Sequence, residues 1–343
     1  MVKLKDIAEH LNVSVSTVSR VVNNKDRVDP KTREKILKAL KEFNYKPNEV
    51  ARNLKKKTSK TIGIIVPDIS NFFFAMVIKG AEGVARQNGY SILLCNSDED
   101  IITEEHYAQL LLQKQISGLI IGSVGGNIDI IFKQYIKSKI PVVFIDNLPK
   151  IKDNFDFVTI DNIKASYDLT NHLINLGHKN IAIITGRLDE TTAYERLKGW
   201  EKSLKEHNIP VKKEWIGIGD FKQESGYKIM EGFLKMNEIP TAVFAANNHL
   251  AYGAMRAIID AGLKVPDDIA MVCFDAIDPT GLIKPQITSI VQPAEEIGKI
   301  AAEIIMRKTH DSNLKIFEKV ILEPQLIIKE SSGAKDSVPS KLV

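Results

Sequence analysis

The chain has 343 residues, 44% hydrophobic and 26% charged, a make-up that excludes a disordered or fibrous protein and leaves room for two or three domains with sizeable cores. No apolar run approaches the ~18 residues a membrane span needs, and Met1-Val2-Lys3 leads straight into an amphipathic stretch with no signal core, so no membrane contact and a cytoplasmic location are expected. The net charge of +4 is unevenly placed: residues 1–60 hold 16 Lys and Arg against 7 Asp and Glu, a surplus of nine that leaves residues 61–343 at −5, the pattern of a nucleic-acid-binding head on a body that does not bind it.

In the head, Leu4, Ile7, Ala8 and Leu11 form one apolar helical stripe. Asn12-Val13-Ser14 interrupts it, and Val15, Val18, Val21 and Val22 form a second. Ser14 is placed to cap the second helix. Two short helices joined by a tight turn predict a helix-turn-helix over residues 4–23. The polar face of the second helix carries Ser16, Thr17, Ser19, Arg20 and Asn23, short donors and acceptors plus one guanidinium, suited to phosphates and major-groove base edges. Together with Ser14 and Val15 these are the candidate DNA-binding residues, although an amphipathic helix pair by itself specifies a fold and not a partner. Asp29-Pro30 then reads as the cap and first residue of a third helix with Ile36, Leu37, Leu40 and Phe43 inward.

Residues 47–60 read as a charged linker in which Leu54 stands among basic residues. From Thr61 the pattern changes. Strand-like runs at Thr61–Val66, Ser91–Asn96, Gly118–Ser123 and Pro141–Asp146 alternate with helical segments, and the alternation repeats at Ile181–Gly186, Trp215–Gly219, Ala242–Asn247 and Ile269–Asp275. Two α/β halves with parallel sheets follow. Such halves bind ligands beyond the carboxyl ends of their strands. The residues there include Asp68, Phe73, Phe74, Asp146, Arg187, Arg196, Phe221, Asn247, Asn248, Asp275 and Gln292. Aromatic faces with bidentate-capable polar groups suit a polyhydroxylated ring, whose hydroxyls need partners once desolvated. Cys95 and Cys273 lie in separate apolar runs and are expected to be buried thiols. No His, Cys or carboxylate cluster has metal spacing, and no cofactor is expected. Neither a phosphate-binding glycine loop nor a G-x-S-x-G elbow is present, which argues against an enzyme.

Val13-Ser14 and Thr17-Val18-Ser19-Arg20-Val21-Val22-Asn23 closely resemble the start of the lactose-repressor (LacI/GalR) family of bacterial transcription regulators, and the resemblance continues through nearly the whole chain. It implies a small all-α helix-turn-helix head (1–46), a hinge helix and linker (47–60), and an α/β periplasmic-binding-protein-like core of two doubly wound parallel-sheet subdomains (61–330). The first subdomain would be about 61–161 plus 293–322 and the second about 162–292 plus 323–330, with a flexible tail at 331–343. In the hinge, Asn48 and Ala51 would contact DNA and Leu54 would wedge into the minor groove. Lys3 stands where the family commonly has a capping Ser or Thr.

In the body, Arg196, three residues before Gly199, matches the family's sugar-contacting arginine, and Cys273-Phe274-Asp275 its Gly-Phe-Asp. Phe72 replaces a usual proline, and Asn248 replaces a usual acid, which removes a charge. The resemblance implies a homodimer paired through helices near Phe73–Gln87 and Leu250–Ala261, a palindromic operator, and a small effector, a sugar or sugar acid first. A purine, a phosphorylated carrier protein as signal, or a sugar-binding transport protein are the alternatives, and the last would need an export signal and no basic head.

Overall fold

The computed structural model describes residues 2–23, 28–45, 59–125, 128–151, 154–276, 278, 281–282, 284–311 and 316–334. The chain divides into a unit of residues 1–58 and a larger one of residues 59–343.

The first unit contains α1 (Leu4–His10), α2 (Val15–Val22) and α3 (Pro30–Glu42). Helix α1 ends at His10, and two residues on the left-handed backbone of Asn12 (φ 49°) turns the chain, as asparagine tolerates at this position past a helix end. Ser14 then caps α2 by accepting from the Thr17 N–H at 3.1 Å. Asp29 caps α3 in the same way through Thr32, ahead of Pro30. The three helices bury Ile7, Ala8, Val18, Val21, Ile36 and Ala39 against one another. Full burial of Ile7, Val18 and Ile36 stabilises this small core by about 1.5–3 kcal/mol apiece. Lys3 cannot accept a hydrogen bond from the first turn of α1. The reciprocal contact is made instead by Asp6, whose carboxylate accepts from the Lys3 N–H at 2.8 Å.

In the second unit the chain builds two six-stranded sheets. The first lobe contains β1 (Thr61–Val66), α4 (Phe72–Gln87), β2 (Ser91–Asn96), α5 (Ile101–Gln113), β3 (Gly118–Ile121), α6 (Asp129–Lys137), β4 (Val142–Ile145) and β5 (Asp156–Ile160). The second contains α7 (Asn162–Asn175), β6 (Ile181–Thr185), α8 (Thr191–Glu206), β7 (Ile216–Ile218), α9 (Gln223–Leu234), β8 (Ala242–Ala245), α10 (Asn248–Asp260), β9 (Ala270–Phe274) and β10 (Thr288–Val291). Helix α11 (Ala294–His310) and β11 (Lys319–Leu322) return to the first lobe, and β12 (Gln325–Ile327) closes the second. The strand orders are β11-β5-β4-β3-β1-β2 and β12-β10-β9-β8-β6-β7. Every pairing is parallel except β10 with β12. The central strands are buried on both faces, as helix-covered parallel sheets require. The chain passes between the lobes at Asp161, at Gln292-Pro293 and at Glu323-Pro324.

Helices α4 and α11 approach so closely that a Cβ on Gly80 or Gly298 would collide with the carbonyl oxygen of Glu295 or Val77, and Gly226 with Gly253 does the same for α9 and α10. The tail expected from Ser331 does not start there. Ser331 and Ser332 are buried, and Ser331 donates to the Met271 carbonyl at 2.6 Å and accepts from the Thr288 N–H at 2.8 Å. Among the described residues no helix is long and apolar enough to cross a membrane.

Candidate functional site

On the head, Val15, Ser16 and Arg20 are exposed and Thr17 and Ser19 half-buried on α2, opposite the buried Val18 and Val21. Ser14 is committed to its cap, and the Asn23 amide donates to the Ser19 carbonyl at 2.7 Å. The candidate DNA contacts Asn48, Ala51 and Leu54 lie outside the described residues.

Between the lobes is a cavity of about 40 Å³. Phe73, Phe74, Asp146, Arg196, Phe221, Asn247, Asp275 and Gln292 line it, brought together from both lobes. Asp146 ends β4 and Asp275 ends β9, equivalent places in the two sheets, and both adopt left-handed backbone (φ 57° and 55°). Non-glycine residues in that region carry strain that persists where surrounding contacts fix them, commonly at functional sites. Asp98, Glu99 and Phe221 at neighbouring strand ends share this conformation, whereas Asn12, Asn44, Gln115, Lys139 and Asn208 adopt it just past helix ends. Gly186 makes room for Phe221, whose ring occupies the space a Cβ there would fill.

Arg196 is held by its surroundings. Its Nε donates to the Asn162 carboxamide oxygen at 2.9 Å and Nη1 to the Ala246 carbonyl at 2.7 Å, while the guanidinium lies 4.1 Å over the Phe274 ring and 3.7 Å from the Asp146 carboxylate. Asp275 accepts from the Gln292 N–H at 3.0 Å and from its side-chain amide at 2.7 Å. Burial pushes the Asp275 carboxyl up to about 6 against those hydrogen bonds, and burial likewise raises Asp146 against the pull of Arg196. Glu190 rises to about 9 and Glu99 to about 7, each mainly by burial.

Hydrogen bonds span the closed cleft. Asn71 and Asn248 exchange two, at 3.2 and 3.1 Å. Asn147 donates to Glu190 at 3.1 Å and accepts from the Thr191 N–H at 2.8 Å. Arg187 donates across the cleft to the Val124 carbonyl at 2.6 Å and pairs within its own lobe with Glu190 at 3.1 Å. Beneath this loop, buried Glu104 accepts from the Val124 N–H at 2.7 Å and the Ser123 hydroxyl at 3.1 Å.

Three of the sequence-derived residues differ from expectation. Arg187 lies outside the lining and is held by the Val124 carbonyl and Glu190. Asp68 does not line the cavity: one carboxylate oxygen accepts from the Ser70 N–H at 2.8 Å and the other lies 3.4 Å from His249. Asn247 lines it, but its oxygen caps α10 through the Leu250 N–H and its amide donates to the Phe221 carbonyl, so both polar atoms hold the wall in place. Sequence reasoning missed Asn71, Glu99, Ser123, Asn147, Glu190 and Thr192 in the lining. Several sit one to three residues beyond strand ends, in the acidic run Ser97-Asp98-Glu99-Asp100 and at Asn147, so reading further into each loop would have found them. Asn248, noted as replacing an acid, instead forms half of the amide pair.

Fold and site thus define a ligand-binding body of two hinged α/β lobes preceded by a helix-turn-helix head. Residues 3–48 match the family described as bacterial regulatory proteins, lacI family, and residues 59–323 match periplasmic binding proteins and sugar binding domain of LacI family. The chain is 37% identical over 319 residues to catabolite control protein A of Priestia megaterium, covering 91% of this chain and 95% of that one. It is 35% identical over 339 residues to the HTH-type transcriptional repressor PurR of Photobacterium profundum, covering 96% and 98%. Among solved structures, the lac repressor dimer bound to operator and the anti-inducer ONPF superimposes with a TM-score of 0.83 at 29% identity, over 96% of this chain and 99% of that one. The protein belongs to the lacI family of bacterial transcriptional regulators.

Proposed function

We infer that this protein is a repressor of carbohydrate-utilisation genes that works in the cytoplasm as a homodimer on a palindromic operator, released or tightened by a small sugar-like effector held between its lobes, and that it is not an enzyme. The observation that carries the reading is the convergence of Arg196, Asp146, Asp275 and Gln292 with Phe73, Phe74 and Phe221 on one interlobe cavity. Bidentate polar groups beside apolar rings match the hydroxyls and faces of a sugar.

A cavity of about 40 Å³ holds a few waters, whereas small-molecule sites run to about 300 Å³ or more. Binding therefore requires the lobes to part, and the closed form with its interlobe hydrogen bonds is one of two states between which an effector chooses. Its differential affinity for those states sets how far operator binding shifts. Phe72 and Ile259, on the helices α4 and α10 where pairing of two copies is expected, expose apolar side chains that such an interface would cover. A purine base is the second reading, favoured by the similarity to PurR and by the flat faces of the phenylalanines.

The test is a DNA titration on palindromic fragments with and without candidate effectors, followed by the same titrations on Asp275→Asn. Losing the carboxylate should weaken effector binding roughly ten- to a hundredfold, from ~1.5–3 kcal/mol for a hydrogen bond to a charged group, with operator affinity of the ligand-free protein unchanged. A variant with full effector affinity contradicts this assignment of the cleft.

A further inference from the structure

We propose that the cleft is built for an effector that carries a protonated amine, an amino sugar before a neutral hexose or a sugar acid. This rests on reading the cleft as the effector site.

The fully buried polar atoms left unmatched in the lining are acceptors. Gln292 is 4% exposed and its Oε1 has no hydrogen-bond partner. Asp146 Oδ1 has none either, its nearest cation being Arg196 Nη2 at 3.7 Å. The Glu99 carboxylate lines the same space, and no donor among the described residues makes a hydrogen bond to it.

Most of the donors nearby are engaged: Arg196 donates through Nε to Asn162 and through Nη1 to the Ala246 carbonyl, leaving only Nη2 beside Asp146, and the Gln292 amide donates to Asp275. The Nε of Arg187 lacks a hydrogen bond but stands 3.6 Å from Asp189 and outside the lining.

Charge points the same way. The lining carries Glu99, Asp146, Glu190 and Asp275 against the cation Arg196, with Arg187 outside it paired to Glu190, so carboxyls still outnumber cations. Burial and mutual repulsion raise Glu99, Glu190 and Asp275, so the space resists negative charge and a uronate or a sugar phosphate would be disfavoured there, whereas a cation would favour the ionised form of these carboxyls. An ammonium supplies three donors and one positive charge, meeting both deficits at once. The phenylalanine faces add a surface that attracts cations.

The experiment is calorimetry on the full-length protein with glucosamine and galactosamine, each compared with its parent hexose and matching uronate. One amine should bind about tenfold or more tightly than its hexose, as expected for a charge-assisted hydrogen bond, with the uronate weakest. Glu99→Gln should bring the amine-to-hexose ratio close to unity. Asp146→Asn serves as a second variant should the first fold poorly. The proposal is overturned if a hexose or uronate binds as tightly as its amine, if neither amine binds, or if both variants keep the parental ratio. Operator titrations run alongside separate the two readings. A hexose or uronate that alters operator affinity removes the amine and keeps the ligand-controlled regulator, whereas absence of specific operator binding removes the regulator reading itself.

Discussion

Asn147 belongs to one lobe, yet its carboxamide oxygen accepts from the N–H groups of Thr191 and Thr192 at the start of α8 in the other, at 2.8 and 3.3 Å. Helix α8 has no cap from its own N-terminal residue, Glu190. Its orphan amides are satisfied across the cleft, and the same helix carries Arg196. Opening the lobes therefore uncaps the helix that presents the arginine, which ties closure to the geometry of the site. Asn147→Ala should destabilise the body by ~1–2 kcal/mol, the usual cost of a lost cap. Urea unfolding of the parent and variant checks this, and a change within the error of the midpoint would mean that water or Glu190 takes over the cap.

At the scale of the element, α2 divides into an inner face of Val18 and Val21 and an outer one where Val15 is 45% exposed beside Ser16 and Arg20. An exposed valine costs a small helix part of its apolar burial, and the residue becomes useful where it meets an apolar group such as a thymine methyl. Arg20, one turn further on and also exposed, is placed to reach a guanine edge with two donors. Arg20→Ala should lower operator affinity by ~1–3 kcal/mol and affinity for random DNA far less. Fluorescence anisotropy on both DNAs decides the point, since equal losses would assign Arg20 to phosphate alone.

Across the whole body, the cleft and the core beneath it gather carboxyls that folding disfavours in their charged form. Glu190 is raised to about 9, Glu99 and Glu104 to about 7, and Asp275 to about 6, each mainly by burial. A raised carboxyl means that the folded state holds more protons than the unfolded one between the ordinary carboxylate range and the raised value. Stability from these groups is therefore present at low pH and lost as pH rises through that window. The melting temperature of the body should fall as pH goes from about 6 to about 9, and Glu190→Gln should flatten the decline. A parent curve that is flat or rising over this range, or a Glu190→Gln curve as steep as the parent's, would show that the buried carboxyls do not set the pH response. At the acid end Asp100 acts oppositely, its carboxyl lowered chiefly by the Thr103 hydroxyl and N–H.

The head was written in local chemistry: the valine stripe of α2, the Ser14 and Asp29 caps and Pro30 are signals within a turn or two of the elements they define, and those elements formed at those places. The alternation of the body was legible for the same reason, because strands buried on both faces appear as continuous β-branched runs. Strand β5, which opens on Asp156, and the edge strand β11, with Lys319 and Ile321 exposed, went unseen until their pairing partners were known. The cleft was legible where its residues lie at strand ends, as at Asp146 and Asp275. Tertiary structure alone decided that Asn71 pairs with Asn248 and Asn147 with Glu190, that the Asn247 amide is held by the Phe221 carbonyl, and that Asp68 turns towards His249. Those contacts join residues up to 181 positions apart, as Asp68 and His249 are, through the folding of two lobes onto each other, and no local pattern encodes which loop will face which.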